Sequence, residues 1–257
     1  MKKTIFLAAI LIAALGFTGC GGSNKGGDLK IDAKVENGDL VNSYVDEVRA
    51  IGEFCASEYP VDDDDDGVID WYECEDYQNV TIATAPFKNG GFKMTLPKKI
   101  DERLLRPLFE VDISEIPEEI TISNKNAKIA NVDGFLAFKN TSFVGWFYCL
   151  YFTTDTYSEL VYIFADGDCK ISGTVSETYI DDEDGQTYTF KETMDLNLKK
   201  GWNAVYTIYI AVGNTETFKM TTQKPDFDLK WYFDGGGMPS APKKDAKKAS
   251  KMFKFFK

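Results

Sequence analysis

The chain has 257 residues, 14% of them aromatic and 27% charged, with a formal net charge of −12 at pH 7. It contains no histidine, which excludes histidine metal ligands, Ser-His-Asp and Cys-His triads, and the commonest general acid–base group. Without Lys2, Lys3 and the basic last fifteen residues, residues 20–242 carry −20. We expect no nucleic-acid partner, because so acidic a body repels phosphate backbones.

The first nineteen residues are a predicted secretory signal peptide. Met1-Lys2-Lys3 is a short basic start, Ile5 to Leu15 is an uncharged apolar run, and Phe17-Thr18-Gly19 places small residues before Cys20. The apolar run is too short to cross a bilayer as a helix, which needs about 20 residues. The segment therefore predicts export of the chain.

The Gly-Cys ending resembles the lipobox of bacterial lipoproteins. In that family the cysteine is lipidated on its sulfur, the peptide is cut before it, and the new amino terminus is acylated. The resemblance implies a palmitate-type lipid on Cys20 and a place in the bacterial cell envelope, at the outer membrane, on either its periplasmic or its surface face. The alternative is an ordinary signal peptide with a chance cysteine.

After a flexible Gly-rich tether at 20–27, the sequence predicts a β-rich body from 28 to 240. Asn89-Gly90 lies between two alternating runs and predicts a tight hairpin. Phe143–Phe152 is apolar on both faces and predicts a central strand, and Asp101–Phe109 predicts the one short helix, limited by Pro107. Further strands are predicted at 29–35, 45–54, 80–84, 92–96, 118–123, 128–138, 160–164, 170–179, 187–192, 194–198, 204–211, 215–222 and 229–233.

This pattern of short strands and turns predicts an all-β fold, an antiparallel β-sandwich. The sandwich is either one large domain or two small stacked subdomains that split near 98–117. A closed β-barrel is the alternative architecture.

Residues 62–73 match a twelve-residue DxDxDG calcium loop position by position. Carboxylates occupy alternate positions, a glycine permits the turn, and a backbone carbonyl follows it. The predicted metal ligands are Asp62, Asp64, Asp66, Val68 through its carbonyl, Asp70 and Glu73. Calcium takes six to eight oxygens at about 2.3–2.6 Å, and this spacing directs oxygens to one point.

The loop resembles that of EF-hand proteins, but Pro60 stands where an EF-hand has its entering helix. We therefore expect a helix-free loop in which calcium is a structural cofactor, bound at about 0.1–1 mM. The alternative is a solvated acidic loop without metal.

Beyond Cys20 the chain has four cysteines, Cys55, Cys74, Cys149 and Cys169. Four cysteines in an exported protein allow three pairings. A Cys55–Cys74 disulfide is favoured, because it would clamp the base of the acidic loop. The alternative is that all four are reduced.

Three segments are similar to recurrent segments of small Bacteroidetes surface lipoproteins. They are KNGGF followed by LP (within Phe87–Pro97), LKKGWN (Leu198–Asn203) and KWYFD (Lys230–Asp234). The resemblance covers most of the mature chain, although not the acidic insertion, and implies the envelope location and the β fold. It implies no catalytic residue.

Trp71, Tyr72 and Trp231 are candidate residues for stacking on a glycan, and their alternative role is packing in the core. The tail at 241–257 has seven lysines and one aspartate after residue 242, with Ala246, Ala249, Phe253 and Phe256 at helical spacing. This pattern suits an anionic membrane surface. The alternative is a disordered basic end.

The leading functional hypothesis is a lipid-anchored extracytoplasmic binding or structural protein with a calcium-ordered loop and no catalytic activity. The second hypothesis is a glycan-binding surface lipoprotein, with a glycan or a protein as partner. The third is a carboxylate-based glycoside hydrolase, which needs two acids about 5–10 Å apart in a cleft. It ranks last because no acid pair is evident in the sequence.

Overall fold

A computed structural model describes residues 28–61, 71–108, 116–180 and 185–235. In these ranges the chain forms strands throughout, with one α-helix, α1 (Gly38–Val41), and one 3-10 turn, η1 (Glu102–Leu104). The strands are β1 (Leu29–Lys34), β2 (Glu47–Val61), β3 (Trp71–Lys88), β4 (Gly91–Leu96), β5 (Arg106–Pro107), β6 (Thr121–Ile122), β7 (Lys128–Asn131), β8 (Gly134–Lys139), β9 (Ser142–Phe152), β10 (Thr156–Ala165), β11 (Cys169–Ile180), β12 (Thr187–Leu198), β13 (Gly201–Val212), β14 (Thr215–Thr221) and β15 (Lys230–Gly235).

These strands form one mixed sheet in the order β1-β4-β3-β2-β8-β9-β10-β13-β14-β12-β11-β6. Outside this order, β15 pairs with β9, and β7 pairs with both β10 and β5. The prediction of an all-β sandwich is confirmed, and across the described strands the sheet does not close into a barrel. The fully antiparallel arrangement was wrong at one ladder, since β12 and β14 run parallel. Residues 199–214 supply the connection that turns the chain back for this parallel pairing.

Two hydrophobic cores lie on opposite faces of β10 and β13. In the first core, Tyr162 of β10 and Trp202 of β13 pack with side chains from β1, β2, β4, β8, β9 and β15. In the second, Ile163 and Val205 of the same two strands pack with side chains of β7, β11, β12 and β14. Because neighbouring residues of a strand point to opposite faces, β10 and β13 separate the two cores and belong to both.

The Asn89–Gly90 hairpin joins β3 to β4 as predicted. Both residues have positive φ, 54° and 72°, the conformation that a two-residue turn matching the twist of its strands requires. The helix predicted over Asp101–Phe109 does not form within its described residues. Pro107 disfavours a helical conformation at Arg106 and removes a backbone donor, so the chain makes only η1 before the short strand β5.

Candidate functional site

An exposed two-stranded arm extends from the sheet where β2 and β3 run beyond their neighbours. We define the arm as residues 55–61 and 71–79. At 56–59 and 75–79 every residue is exposed, although successive residues of a strand face opposite sides. Between Arg49 and Lys88 the sequence has eleven acidic residues and no Lys or Arg. The arm is therefore an acidic element without a packed core of its own.

A Cys55–Cys74 disulfide crosses the base of the arm, with Cα atoms 5.7 Å apart. It is the pairing that the sequence favoured. Two register shifts in the β2–β3 ladder occur at this place, on either side of Ser57. An isolated two-stranded hairpin is marginally stable in water. The disulfide therefore holds the two strands of the arm together where side-chain packing does not.

The predicted calcium ligands of the loop lie outside the described residues: Asp62, Asp64, Asp66, Val68 and Asp70. Val61 and Trp71 are register partners, so the strands are paired up to the residues that flank this segment. Glu73 lies opposite Tyr59 in the same ladder, so its backbone belongs to the described part of the chain, whereas its side chain does not.

The three residues predicted to stack on a glycan lie in different parts of the fold. Trp71 and Tyr72 lie in β3, opposite Val61 and Pro60, and their side chains are outside the described part. Trp231 is only 1% exposed, and its ring is 5.1 Å from those of both Phe92 and Phe135. The stacking role predicted for Trp231 was wrong, because a ligand cannot reach this ring inside the first core.

A row of aromatic side chains lies instead on one face of four adjacent strands. Register partners share a face, and the ladders pair Phe152 of β9 with Tyr157 of β10, Tyr157 with Tyr209 of β13, and Tyr209 with Phe218 of β14. All four rings are half-buried and keep part of their surface open to solvent. We call these four residues the aromatic row.

Glu159 lies beside the aromatic row, two residues after Tyr157 and on the same face. The Tyr157 hydroxyl donates a hydrogen bond to Glu159 Oε2, with an oxygen–oxygen distance of 3.2 Å. Burial raises the pKa of Glu159, and this hydrogen bond partly offsets the rise. The pKa of Tyr157 is also raised, by burial first and then by the Glu159 charge. Glu159 is thus an acid in poorly hydrated surroundings at the edge of a partly open surface.

Glu192 of β12 lies at the opposite end of the same row, as the register partner of Phe218. Its side chain is half-buried, and burial followed by the nearby Glu177 charge raises its pKa. The aromatic row therefore has a partly desolvated carboxyl group near each end.

Sequence reasoning missed this surface because its residues are local neighbours only in the folded sheet. The predicted strand 160–164 began too late to include Tyr157 and Glu159, whereas β10 starts at Thr156. The available signal was the alternation of Tyr157, Glu159 and Val161 with the buried Ser158, Leu160 and Tyr162. The contact of Phe218 with Glu192 depends on the parallel β12–β14 ladder, which periodicity does not reveal.

In the described residues, no three acidic or cysteine side chains are grouped closely enough to hold a metal ion. Comparisons of the chain with protein-family models, curated proteins and solved structures find no match. The helices found in the described ranges are all too short or too polar to span a membrane. The proposed lipid site, Cys20, and the tail lie outside the described residues.

Proposed function

We propose that the chain is a lipid-anchored extracytoplasmic binding protein, without catalytic activity, whose ligand stacks on the aromatic row. The row itself is the observation that carries the proposal: four partly open rings on adjacent strands, with an acid near each end. Aromatic faces provide large, rigid contact area at small entropic cost. The lipobox at Cys20 and the disulfide support the extracytoplasmic location, because disulfides persist in oxidising compartments.

The spacing of the acids favours binding over glycoside hydrolysis. Glu159 and Glu192 lie on strands separated by two others, which places their backbones about 14 Å apart or more. Hydrolytic acid pairs are separated by about 5–10 Å. Glu177 is closer to Glu192 in the sheet but is exposed, so that pair has no enclosing cleft.

The aromatic row is tested with a Tyr209→Leu variant, which keeps an apolar side chain but removes the ring. Thermal-shift screening against neutral oligosaccharides and organic amines should yield a ligand that binds the variant about tenfold more weakly, which corresponds to about 1.4 kcal/mol. The matched control is Ile210→Ala on the opposite face of β13, where Ile210 is 37% exposed. Ligands that bind both variants and the native protein alike would refute the site, as would the absence of any ligand.

The anchor is tested by Cys20→Ser, which removes the sulfur that lipidation needs. The variant should move from the membrane to the soluble fraction after cell fractionation. If it stays with the membrane, the basic tail contributes more to attachment than the lipid does.

We also propose that calcium orders the acidic segment at the end of the arm. Residues 55–79 hold ten acids and no Lys or Arg, so the acids repel one another, and a divalent cation relieves this repulsion. Terbium, a calcium analogue, should show luminescence sensitised by Trp71 and displaced by millimolar calcium, and calcium should slow amide exchange in the arm. An Asp64→Asn and Asp66→Asn double variant should lose both effects. No luminescence in the native protein would exclude the site.

A further inference from the structure

The face that carries the aromatic row presents carboxylates on four of five neighbouring strands. On β10, β13, β14, β12 and β11, the residues on this side include Glu159, Glu216, Glu192 and Glu177, and none of them is Lys or Arg. The lysines of β11, β12 and β14, namely Lys170, Lys191 and Lys219, stand at positions of the opposite face. On these five strands the charge of this face is thus of one sign. Lys230 of β15 reaches the same face beyond β9, since it is the register partner of Leu150 and Leu150 that of Glu159, but its ammonium group is paired with Glu36 at 3.0 Å.

We propose that the aromatic row binds a linear aliphatic polyamine, with its ammonium groups at Glu159 and Glu192 and its methylene chain across the rings of Tyr209 and Phe218. This inference rests on the proposed function and specifies the chemical class of the ligand. It names a soluble organic cation as the occupant, on the ground of charge complementarity.

The geometry favours a long cation over a compact one. Tyr157, Tyr209, Phe218 and Glu192 form one straight line of register partners across the sheet. With strands about 4.8 Å apart and Glu159 displaced by two residues, the Glu159 and Glu192 backbones are about 14–16 Å apart. One small cation cannot contact both carboxylates over this distance, whereas a chain with several ammonium groups can.

The local chemistry favours a cation over a neutral ligand. Carboxylates only accept hydrogen bonds, and an ammonium group only donates them. The one hydrogen bond that the structure gives the Glu159 carboxyl comes from Tyr157, and charge-assisted bonds are the stronger kind. Aromatic faces attract cations as well as alkyl chains. A neutral sugar would cover the same rings without compensating the charge of the two acids.

Glu159 and Glu192 are partly desolvated, so they prefer a ligand that restores the lost stabilisation of their ionised form. Burial raises the pKa of both groups, and a nearby ammonium charge lowers such a pKa again. Binding should therefore release protons from the protein at any pH where these two groups are partly protonated. A ligand held only by its contact with the rings would not cause this release.

The experiment is isothermal titration of the full-length, detergent-solubilised protein with spermine, with maltotriose as a neutral probe. Spermine should bind saturably, and Glu159→Gln and Glu192→Gln should each weaken binding by about tenfold or more. The control is Glu75→Gln, which removes the same charge from an exposed site on the arm and should change the Kd by less than about twofold. Proton release is measured by repeating the titration in buffers of different ionisation enthalpy.

Three outcomes overturn the inference. Spermine binding that survives both Glu159→Gln and Glu192→Gln would assign the polyamine to the acidic arm. Binding of maltotriose but not spermine, weakened by Tyr209→Leu, would leave the proposed function standing and refute the ligand class. If no probe binds the native protein, both proposals fail together.

Discussion

Trp202 and Trp231 occupy matched sites in the first core but differ in one hydrogen bond. Both are 1% exposed, and each packs edge-to-face on a phenylalanine, Trp202 on Phe164 and Trp231 on Phe135. Trp202 Nε1 donates to the Pro97 carbonyl at 2.8 Å. Trp231 Nε1 is buried with no hydrogen-bond partner in the described structure. Comparing these two residues therefore separates the energy of the hydrogen bond from the energy of packing.

We predict that Trp202→Phe costs more stability than Trp231→Phe. Both substitutions remove similar apolar volume, but the first leaves the Pro97 carbonyl unpaired, at a cost of about 1–3 kcal/mol, whereas the second removes an unpaired donor. Urea denaturation of the two variants should show a difference of about 1–2 kcal/mol in the free energy of unfolding. Equal losses would mean that the hydrogen bond contributes nothing net.

Glu159 predicts a pH-dependent stability. Because its pKa is raised in the folded state, the native protein holds this proton to higher pH than the unfolded chain does. The contribution of Glu159 to stability is then fully present below its unfolded-state pKa and is lost as pH rises through its folded-state pKa. Glu159→Gln keeps an acceptor for Tyr157 and removes the charge, so its melting temperature should exceed that of the native protein at pH 8.

The expected gain at pH 8 is about 3–6 °C for each unit by which the pKa is raised, since one unit corresponds to about 1.4 kcal/mol. At pH 3 the two proteins should melt together, because Glu159 is then almost fully protonated in both the native and the unfolded state. Calorimetry at the two pH values measures the difference in melting temperature between the variant and the native protein. A difference that is the same at both pH values would show that it does not come from the titration of Glu159.

At the scale of elements, the arm depends on its disulfide. We predict that replacing Cys55 and Cys74 by serine loosens the arm without unfolding the body. A bridge that closes a loop of this length, with a sequence separation of 19, contributes about 3 kcal/mol by loop-closure entropy. Amide exchange and chymotrypsin cleavage at Tyr77, which is 64% exposed, should increase in the double variant.

Exchange in β10 and β13 provides the internal control for this experiment, because no described side chain of the arm belongs to the first core. Their protection should be unchanged, and the main melting temperature should shift by less than about 2 °C. A fall in the global melting temperature that parallels the loss of protection in the arm would show that arm and body unfold together.

The elements predicted correctly from the sequence are those whose conformation is determined by residues close together in the chain. The Asn89-Gly90 turn follows from the conformations that these two residues permit, and the apolar stretch 143–152 became β9, a strand that pairs with β8, β10 and β15. Pairing between distant strands has no local signal. The meeting of Glu192 with Phe218, and the burial of Trp231 beside Phe92, each require a strand order that alternation alone leaves open.

At the scale of the whole molecule, the two cores share β10 and β13, so neither can form without strands of the other. We therefore predict a single cooperative transition for the body in calorimetry, with equal calorimetric and van't Hoff enthalpies. The division into two subdomains near 98–117 predicts instead two transitions. Two resolved peaks, or a calorimetric enthalpy about twice the van't Hoff value, would support the divided body.

The position of β15 determines when the first core can close. This strand pairs with β9 along its whole length and makes an isolated parallel bridge from Trp231 to Val35, two residues 196 positions apart in the chain. Until β15 arrives, the site of Trp231 and Phe233 is empty and the surrounding apolar side chains remain exposed. Folding is then late and slow, as for other topologies dominated by distant contacts. The first core therefore cannot close before β9 and β15, the two strands that this pairing joins, have met.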